Sequence, residues 1–218
     1  FTNEKETYSV NLETGKTNWS GITLNSRDFL SAQNNYVYNI RIENLPTFLE
    51  NSHLLRTKVD KLSWDTVYTE KPIDRFVPGI ENPSVWINSE GDEIAIFQTR
   101  YYDFTHGVGR IDVVAYNITQ KKEYFRFTDI DPNKLGSVNF PYIVGNKAFI
   151  PLGFTALCID LPNKKILWAK NFGDGESLLR FQPFIMANNK LYIKPDGFTM
   201  YAVNPDTGVE LWKDTDSG

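Results

Sequence analysis

The side chains best suited to chemistry are concentrated in one segment, 101–107, which reads Tyr-Tyr-Asp-Phe-Thr-His-Gly. Two phenols, a carboxylate and an imidazole this close together could hold a partner through hydrogen bonds and aromatic contact. If exposed, they would form a recognition patch made of Tyr101, Tyr102, Asp103, Phe104 and His106. Alternatively, the segment is the tip of a long hairpin that folds over its neighbour and buries its own aromatic rings.

The other reactive residue types do not form a recognisable catalytic or metal-binding set. His53 and His106 are the only histidines and have no cysteine near them, which does not favour a zinc site. Asp174 and Glu176 lack EF-hand spacing and predict a turn. Because no nucleophile–base order or Gly-rich phosphate loop is present either, the sequence predicts no catalytic residue, no metal and no cofactor.

Two asparagines match the acceptor pattern for N-glycosylation, Asn18 before Trp-Ser and Asn117 before Ile-Thr. Both lie in or beside segments that predict hairpins, where an Asn side chain has a structural role. We therefore expect both to be structural residues.

Composition is that of an ordinary globular chain. The 218 residues are 41% hydrophobic and 23% charged, and the formal net charge of −4 gives no support for nucleic-acid binding. No run of 18 apolar residues is present, so no transmembrane helix is expected, and no signal peptide is visible. Aromatic residues are frequent, at 14%, which fits sheets packed face to face.

Two segments near opposite ends of the chain share one layout, 8–19 and 201–212. Each begins with Tyr, continues with Val-Asn and Thr-Gly, and ends in a Trp eleven positions after the Tyr. Asn204 can start a turn by bonding its own backbone, Pro205 pre-sets φ, and Gly208 supplies a positive φ. The layout therefore predicts a hairpin whose final Trp packs on a neighbouring unit.

Three further copies fit less closely, at 157–168, 114–125 and 53–64, and the last is the weakest because Arg56 replaces the turn Asn. Successive copies are about 45 residues apart, except across the long hairpin near 101–109. The expected docking residues are Trp19, Trp64, Phe125, Trp168 and Trp212.

A repeat of this length with four short strands predicts an all-β fold, a β-propeller of four-stranded blades. The copies predict one hairpin and four blades, which form an incomplete ring, so we expect further residues in the intact protein. The predicted boundaries are 8–20 for the hairpin and 29–70, 83–128, 139–171 and 182–214 for the blades.

The pattern of aromatic, apolar, Asn or Asp, Thr-Gly and Trp resembles the tryptophan-docking repeat of quinoprotein-like (PQQ-like) β-propellers. That family includes PQQ-dependent dehydrogenases and a non-catalytic group with the outer-membrane β-barrel assembly scaffold lipoprotein. The turn glycine of the pattern is present as Gly15 and Gly208, whereas Lys164, Lys121 and Asp60 hold its place in the other copies. The family's enzymes hold their quinone with two adjacent cysteines, and this chain has only Cys158. The resemblance therefore implies the fold and argues against the redox chemistry.

The resemblance favours a non-enzymatic binding or scaffold module of the cell envelope. Such a module would be periplasmic, outer-membrane-associated or extracellular, and a lipid anchor could precede this chain. Its partner would be a protein or a glycan, held by the connections between blades. Arg75 and Arg180, beside Phe76 and Phe181, lie in such connections. The alternative is a propeller enzyme, either quinone-dependent or sugar-active, whose catalytic residues lie outside this chain.

Overall fold

The structure is a computed structural model, and the part of the chain that it describes is all β, with 18 strands and no helix. The described residues are 7–10, 17–21, 28–30, 36–44, 50–58, 63–103, 105, 107–131, 140–173, 183–195 and 199–215.

The strands form one two-stranded hairpin and four four-stranded sheets, each an antiparallel meander in chain order. The hairpin pairs β1 (Thr7–Val10) with β2 (Thr17–Gly21). The first sheet contains β3 (Asp28–Leu30), β4 (Tyr36–Asn44), β5 (Glu50–Lys58) and β6 (Asp65–Glu70). The second contains β7 (Val77–Ile87), β8 (Glu93–Asp103), β9 (Gly107–Asn117) and β10 (Lys122–Phe127). The third contains β11 (Tyr142–Val144), β12 (Lys147–Leu152), β13 (Thr155–Asp160) and β14 (Lys165–Asn171). The fourth contains β15 (Ile185–Ala187), β16 (Lys190–Ile193), β17 (Met200–Val203) and β18 (Glu210–Asp214).

The middle strands of the second and third sheets are apolar on both faces because each of these two sheets is covered on both sides. In β8, Ile94 and Ile96 belong to the core between the second and third sheets, whereas Ala95 and Phe97 belong to the core between the first and second. Since successive side chains of a strand point to opposite faces, a continuous apolar run is the expected pattern for a doubly covered strand. Another core lies between the third and fourth sheets and includes Phe149. Four sheets stacked face to face in chain order are the blades of a β-propeller, as the repeat predicts, and they form an incomplete ring.

The second blade begins earlier than the sequence indicated. β7 starts at Val77, whereas the expected boundary was near 83. The strand continues through Pro83 because its register shifts between Glu81 and Ser84, and Asn82 there takes a positive φ of 43°. A bulge of this kind accommodates a proline that would otherwise interrupt the ladder.

Each outer strand carries one extra residue at the same place. In β14, Cys158 pairs with Trp168 and Ile159 pairs with Ile166, so Leu167 has no cross-strand partner. The same bulge recurs in all five outer strands, where the extra residues are Asn18, Val67, Tyr124, Leu167 and Leu211. The residue after the bulge occupies the docking position: Trp19, Tyr68, Phe125, Trp168 and Trp212 respectively.

Trp168 shows how the docking position works. Its side chain lies against the β17–β18 turn of the next blade, and its Nε1 donates a hydrogen bond to the carbonyl oxygen of Pro205 at 2.9 Å. The ring lies so close to Gly208 that a Cβ there would be 2.7 Å from Cδ2 of Trp168. The indole is 8% exposed, so this Trp is the predicted knob between blades.

Trp64 is not a docking residue, and Tyr68 takes its place. The hairpin between β5 and β6 is four residues longer than the others: Leu55 pairs with Thr66, whereas Ile159 pairs with Ile166. Trp64 therefore precedes β6 and is 36% exposed. The ring of Tyr68 packs on the second sheet, with its centroid 5.2 Å from that of Phe97 and 4.9 Å from that of Tyr116.

The remaining docking residues differ in their surroundings. Phe125 is 8% exposed and packs in the core between the second and third blades. Trp212 is 37% exposed and meets Tyr192 of its own blade edge-on, so it does not pack between described blades as Trp168 does. For Trp19 the structure describes the backbone in β2, and its side chain lies outside the described part.

Three of the turns that precede the outer strands share a positive φ at the same position despite their different sequences. Lys121 and Lys164 both have a φ of 53°, in the region that Gly208 occupies with a φ of 69°. The turn is started each time by an Asn or Asp oxygen that accepts a backbone N–H two or three residues on, from Asn117, Asp160 and Asn204. Asp60 lies outside the described residues.

Candidate functional site

Two segments meet at the end of the first and second blades, the connection after β6 and the long β8–β9 hairpin. The connection makes a tight turn closed by two backbone hydrogen bonds between Ile73 and Phe76, with Asp74 at a positive φ of 53°. The Phe76 ring lies on Gly109 of the hairpin, where a Cβ would be 2.2 Å from the ring. A larger residue at 109 would push the connection away, so this glycine allows the close approach.

Arg75 and Asp103, both predicted site residues, are brought together here. The Nε of Arg75 lies 2.6 Å from Oδ2 of Asp103, and the backbone N–H of Thr105 donates to the other carboxylate oxygen at 2.8 Å. The side chain of Asp103 is 7% exposed, whereas that of Arg75 is 63% exposed. The guanidinium also lies 5.5 Å from the centroid of Phe76. The result is an exposed cation held in place by a buried carboxylate.

Tyr102, the residue before Asp103, is partly buried and belongs to a separate polar cluster. Its Oη accepts a hydrogen bond from Nη1 of Arg100 at 2.5 Å and lies 3.4 Å from Oε1 of Glu81. Burial, followed by the negative charge of Glu81, raises the pKa of this phenol. Tyr102 therefore remains a neutral hydrogen-bonding group.

Tyr101 does not contribute to an exposed patch, because its side chain is 1% exposed. It points into the blade, 3.3 Å from Nη1 of Arg126, and its ring lies under the guanidinium of Arg110. The hairpin thus buries this aromatic residue, as the alternative interpretation expected for the segment. Three further residues considered for sites, Phe104, His106 and Arg180, lie outside the described residues.

Below the surface, Arg126 connects the first and second blades through a buried ionic network. Its guanidinium donates to Glu70 at 2.9 Å, to Asp112 at 3.0 Å and to Glu123 at 2.9 Å. It also donates to the phenol of Tyr68 at 2.8 Å, and that phenol in turn donates to Glu70. Glu70 and Tyr68 lie in the first blade and Arg126 in the second, so the network joins the two sheets.

The carboxylate of Asp112 is the centre of this network and is fully buried. Arg110 contacts it with Nε at 2.7 Å and Nη2 at 2.5 Å, and the backbone N–H of Asp129 donates at 3.0 Å. Burial opposes the charge, but the hydrogen bonds from Arg110, Asp129 and Arg126 outweigh it and hold the pKa of Asp112 below its usual value. Asp112 is therefore ionised at neutral pH.

Sequence reasoning missed this network. Glu70 and Arg126 are separated by 56 residues, so no local pattern connects them. The available signal was Asp112 itself, a charged residue between the apolar Ile111 and Val113 on a strand expected to be buried on both faces. A buried carboxylate requires charged or hydrogen-bonding partners, so it could have been marked as the centre of an ion pair.

The cysteine, the described histidine and the described glycosylation acceptor have structural environments. Cys158 is fully buried in β13 opposite Trp168, and burial raises the pKa of its thiol to about 12. His53 lies 2.9 Å from Oγ1 of Thr69. Asn117 is 1% exposed and donates to Asp92 at 2.8 Å.

Cys158 does not fit the quinone site that the resemblance implies, because the chain offers no adjacent pair of thiols. Among the described residues, no group of three or more His, Cys, Asp or Glu side chains is placed to hold a metal ion. No helix long and apolar enough to cross a membrane occurs in the described part of the chain.

Comparison with known proteins was informative for the fold. No protein-family model matches the sequence, and no curated protein matches it. Among solved structures, a europium-containing methanol dehydrogenase superposes with a TM-score of 0.50 at 12% sequence identity. The match covers 88% of this chain and 44% of that one.

The chain has a quinoprotein-like β-propeller fold. That conclusion rests on the superposition together with the stacked four-stranded blades. The chain spans less than half the length of the dehydrogenase, and the identity is too low to carry more than the fold.

Proposed function

We propose that this propeller is a non-enzymatic binding or scaffold module that holds a protein partner through the blade-connecting segments around Arg75. The observation that carries the proposal is the Arg75–Asp103 pair, because a guanidinium that is 63% exposed is fixed by a carboxylate that is 7% exposed. The ion pair already restricts the Arg75 side chain in the unbound protein. Binding therefore loses less side-chain entropy, and the affinity for a partner is higher. Arginine at the centre of a contact is also among the residues that contribute most to binding energy.

The surroundings support a protein partner over a small substrate. Phe76 supplies aromatic surface beside the cation, and the turn carrying Arg75 is braced on Gly109. An exposed guanidinium matches an acidic or C-terminal carboxylate bidentately. We propose that the protein lies in the cell envelope, on the periplasmic or extracellular side of the membrane. This location is inferred from the resemblance of the docking repeat to that of quinoprotein-like propellers. The enzymatic alternative stays a prediction about residues outside this chain.

The proposal is tested by capture from a cell-envelope protein extract on the immobilised chain, with identification by mass spectrometry. We expect a protein retained by the wild type and by Lys165→Ala, and lost with Arg75→Ala. Lys165 is an exposed cation at the opposite end of the blades and serves as the matched control. Unchanged melting temperatures would show that both variants fold. Equal capture by Arg75→Ala, or no capture in repeated trials, would refute the proposal.

A further inference from the structure

A cleft lies between the third and fourth blades, at the end away from Arg75. In a four-stranded meander, two turns lie at one end of the blade: the turn that joins strands one and two, and the turn that joins strands three and four. The β8–β9 turn and the connections between blades lie at the other end. The cleft is lined by the β11–β12, β15–β16 and β17–β18 turns, and its volume is about 510 Å³. This is within the range of about 300–1,000 Å³ that small-molecule sites occupy.

The cleft is held open by contacts between the two blades. The backbone N–H of Met186, on the fourth blade, donates to the phenol of Tyr142, on the third, at 3.2 Å. At the rim, Lys147 of the third blade forms an ion pair with Asp206 of the fourth. Trp168 fixes the carbonyl of Pro205, which belongs to the lining. A site whose walls are already fixed loses little entropy when a ligand enters.

The polar part of the lining is uncharged overall. It consists of Asn146, Asn189 and Asn204 together with the Lys147–Asp206 pair, in which the two charges cancel. The side-chain oxygen of Asn204 already accepts from backbone N–H groups of its own turn. Primary amides both donate and accept hydrogen bonds, which suits hydroxyl groups. A phosphate or carboxylate ligand would require a surplus of positive charge, and this lining does not provide one.

The apolar part of the lining consists of Val144, Phe149, Met186 and Pro205. Val144 is 37% exposed, so it presents an aliphatic wall at the mouth of the cleft. Mixed amide and aliphatic walls match a sugar ring, which carries hydroxyl groups at its edge and C–H groups on its faces. We propose that this cleft binds a short neutral saccharide.

The test is titration of the folded chain with four neutral disaccharides: maltose, cellobiose, lactose and N,N′-diacetylchitobiose. Binding is followed by ligand-detected NMR, and inorganic phosphate serves as the anionic comparison. We expect at least one disaccharide to bind with a Kd of about 1 mM or tighter, and phosphate to bind more weakly.

Two tryptophan variants locate the binding. Val144→Trp fills the mouth of the cleft and should weaken the affinity by about tenfold or more. Ile185→Trp adds the same ring at a side chain that is 59% exposed on β15 and not part of the lining. It should leave the affinity within about twofold. Circular dichroism and melting temperatures establish that both variants fold.

The contrary results are equally specific. If none of the four disaccharides binds at about 10 mM, or if phosphate binds in preference, the assignment is wrong. Equal affinity in the wild type and in folded Val144→Trp would place the saccharide elsewhere and would also overturn it. Should Val144→Trp fail to fold, Asn146→Trp at the β11–β12 turn replaces it, with the same expected loss. The proposed protein contact around Arg75 is unaffected by any of these outcomes.

Discussion

The indole of Trp168 donates to the carbonyl oxygen of Pro205 across the boundary between the third and fourth blades, over 2.9 Å. One bond thus joins the outer strand of one blade to the outer turn of the next. The same turn provides a wall of the proposed saccharide cleft, so blade packing and the shape of that cleft depend on one contact.

Replacement of Trp168 by alanine should destabilise the protein strongly. The side chain is 8% exposed, and its loss leaves a cavity between two sheets, so we expect a decrease of about 3–5 kcal/mol in the free energy of unfolding. Trp212→Ala removes the same side chain where it is 37% exposed and should cost about 1 kcal/mol or less. Urea titration measures both. Equal losses would show that Trp168 is not the knob between blades.

The correction of the docking residue in the first blade can be tested in the same way. Tyr68→Ala removes ring contacts with Phe97 and Tyr116 and the hydrogen bonds of the phenol, and we expect a loss of about 2–4 kcal/mol. Trp64→Ala should cost about 1 kcal/mol or less, because Trp64 lies outside the sheet. The opposite order in chemical denaturation would restore Trp64 as the docking residue.

Gly208 is required for two separate reasons, which a second glycine distinguishes. Both Gly208 and Gly145 have a positive φ, but a Cβ meets the Trp168 ring only at Gly208, whereas nothing lies within 4 Å of a Cβ at Gly145. Gly145→Ala should therefore cost about 1–2 kcal/mol from backbone strain. Gly208→Ala should cost about 1–3 kcal/mol more, since the ring must move. Thermal melts compare the two variants. Similar losses of stability would mean that the Trp168 ring can move away from residue 208 at little cost.

Lys121 provides a stabilising substitution. Its φ of 53° is unfavourable for a side chain with a Cβ and costs glycine nothing. We expect Lys121→Gly to raise the free energy of unfolding by up to about 1 kcal/mol. Lys122→Gly, one residue later and inside β10, should lower it by about 0.5–1 kcal/mol. A loss of stability with Lys121→Gly would argue that its side chain makes a compensating contact.

Acid should weaken the junction between the first and second blades through Asp112. Because its folded pKa is held below the unfolded value, its contribution is fully present above about pH 4 and is lost as the pH falls through the folded pKa. The difference in unfolding free energy between the wild type and Asp112→Asn should therefore shrink from neutral pH to about pH 3. Urea titrations over that range measure it. A constant difference would show that Asp112 is not charged in the folded state.

The sequence predicted most of the architecture because the turn chemistry is local. The side chains of Asn204 and Asp160 accept hydrogen bonds from backbone N–H groups of their own turns. Lys121 and Lys164 adopt a positive φ like that of Gly208, although they are not glycines. The prediction for the first blade was wrong because the longer β5–β6 turn shifts the docking position from residue 64 to residue 68. Residue 64 was chosen because it is a tryptophan at the spacing of the other copies. The four extra residues become evident only from the pairing of β5 with β6, which the repeat pattern does not encode.

The site was predicted less completely because its contacts are long-range. Arg75 was selected by its position alone and Asp103 by the residue types of the segment around it, and the structure places them 2.6 Å apart. Tyr101 was selected with them, but its side chain is 1% exposed and packs inside the blade, so it adds nothing to the exposed surface. Apart from the buried Asp112, the network around Arg126 has no sequence signature, and neither does the cleft beside Asn189, since each assembles residues from separate blades.

The extra residue in each outer strand has a consequence for where this protein tolerates change. Ile166 and Trp168 would share a face in a regular strand, yet Ile166 packs towards the second blade and Trp168 towards the fourth, because Leu167 interrupts the alternation. The five interrupting residues have no cross-strand partner, but Val67 and Tyr124 still pack against a core. Leu167 and Leu211, which are 37% and 47% exposed, are thus natural attachment points for a fluorophore or a cross-linker that must leave the stack of blades intact.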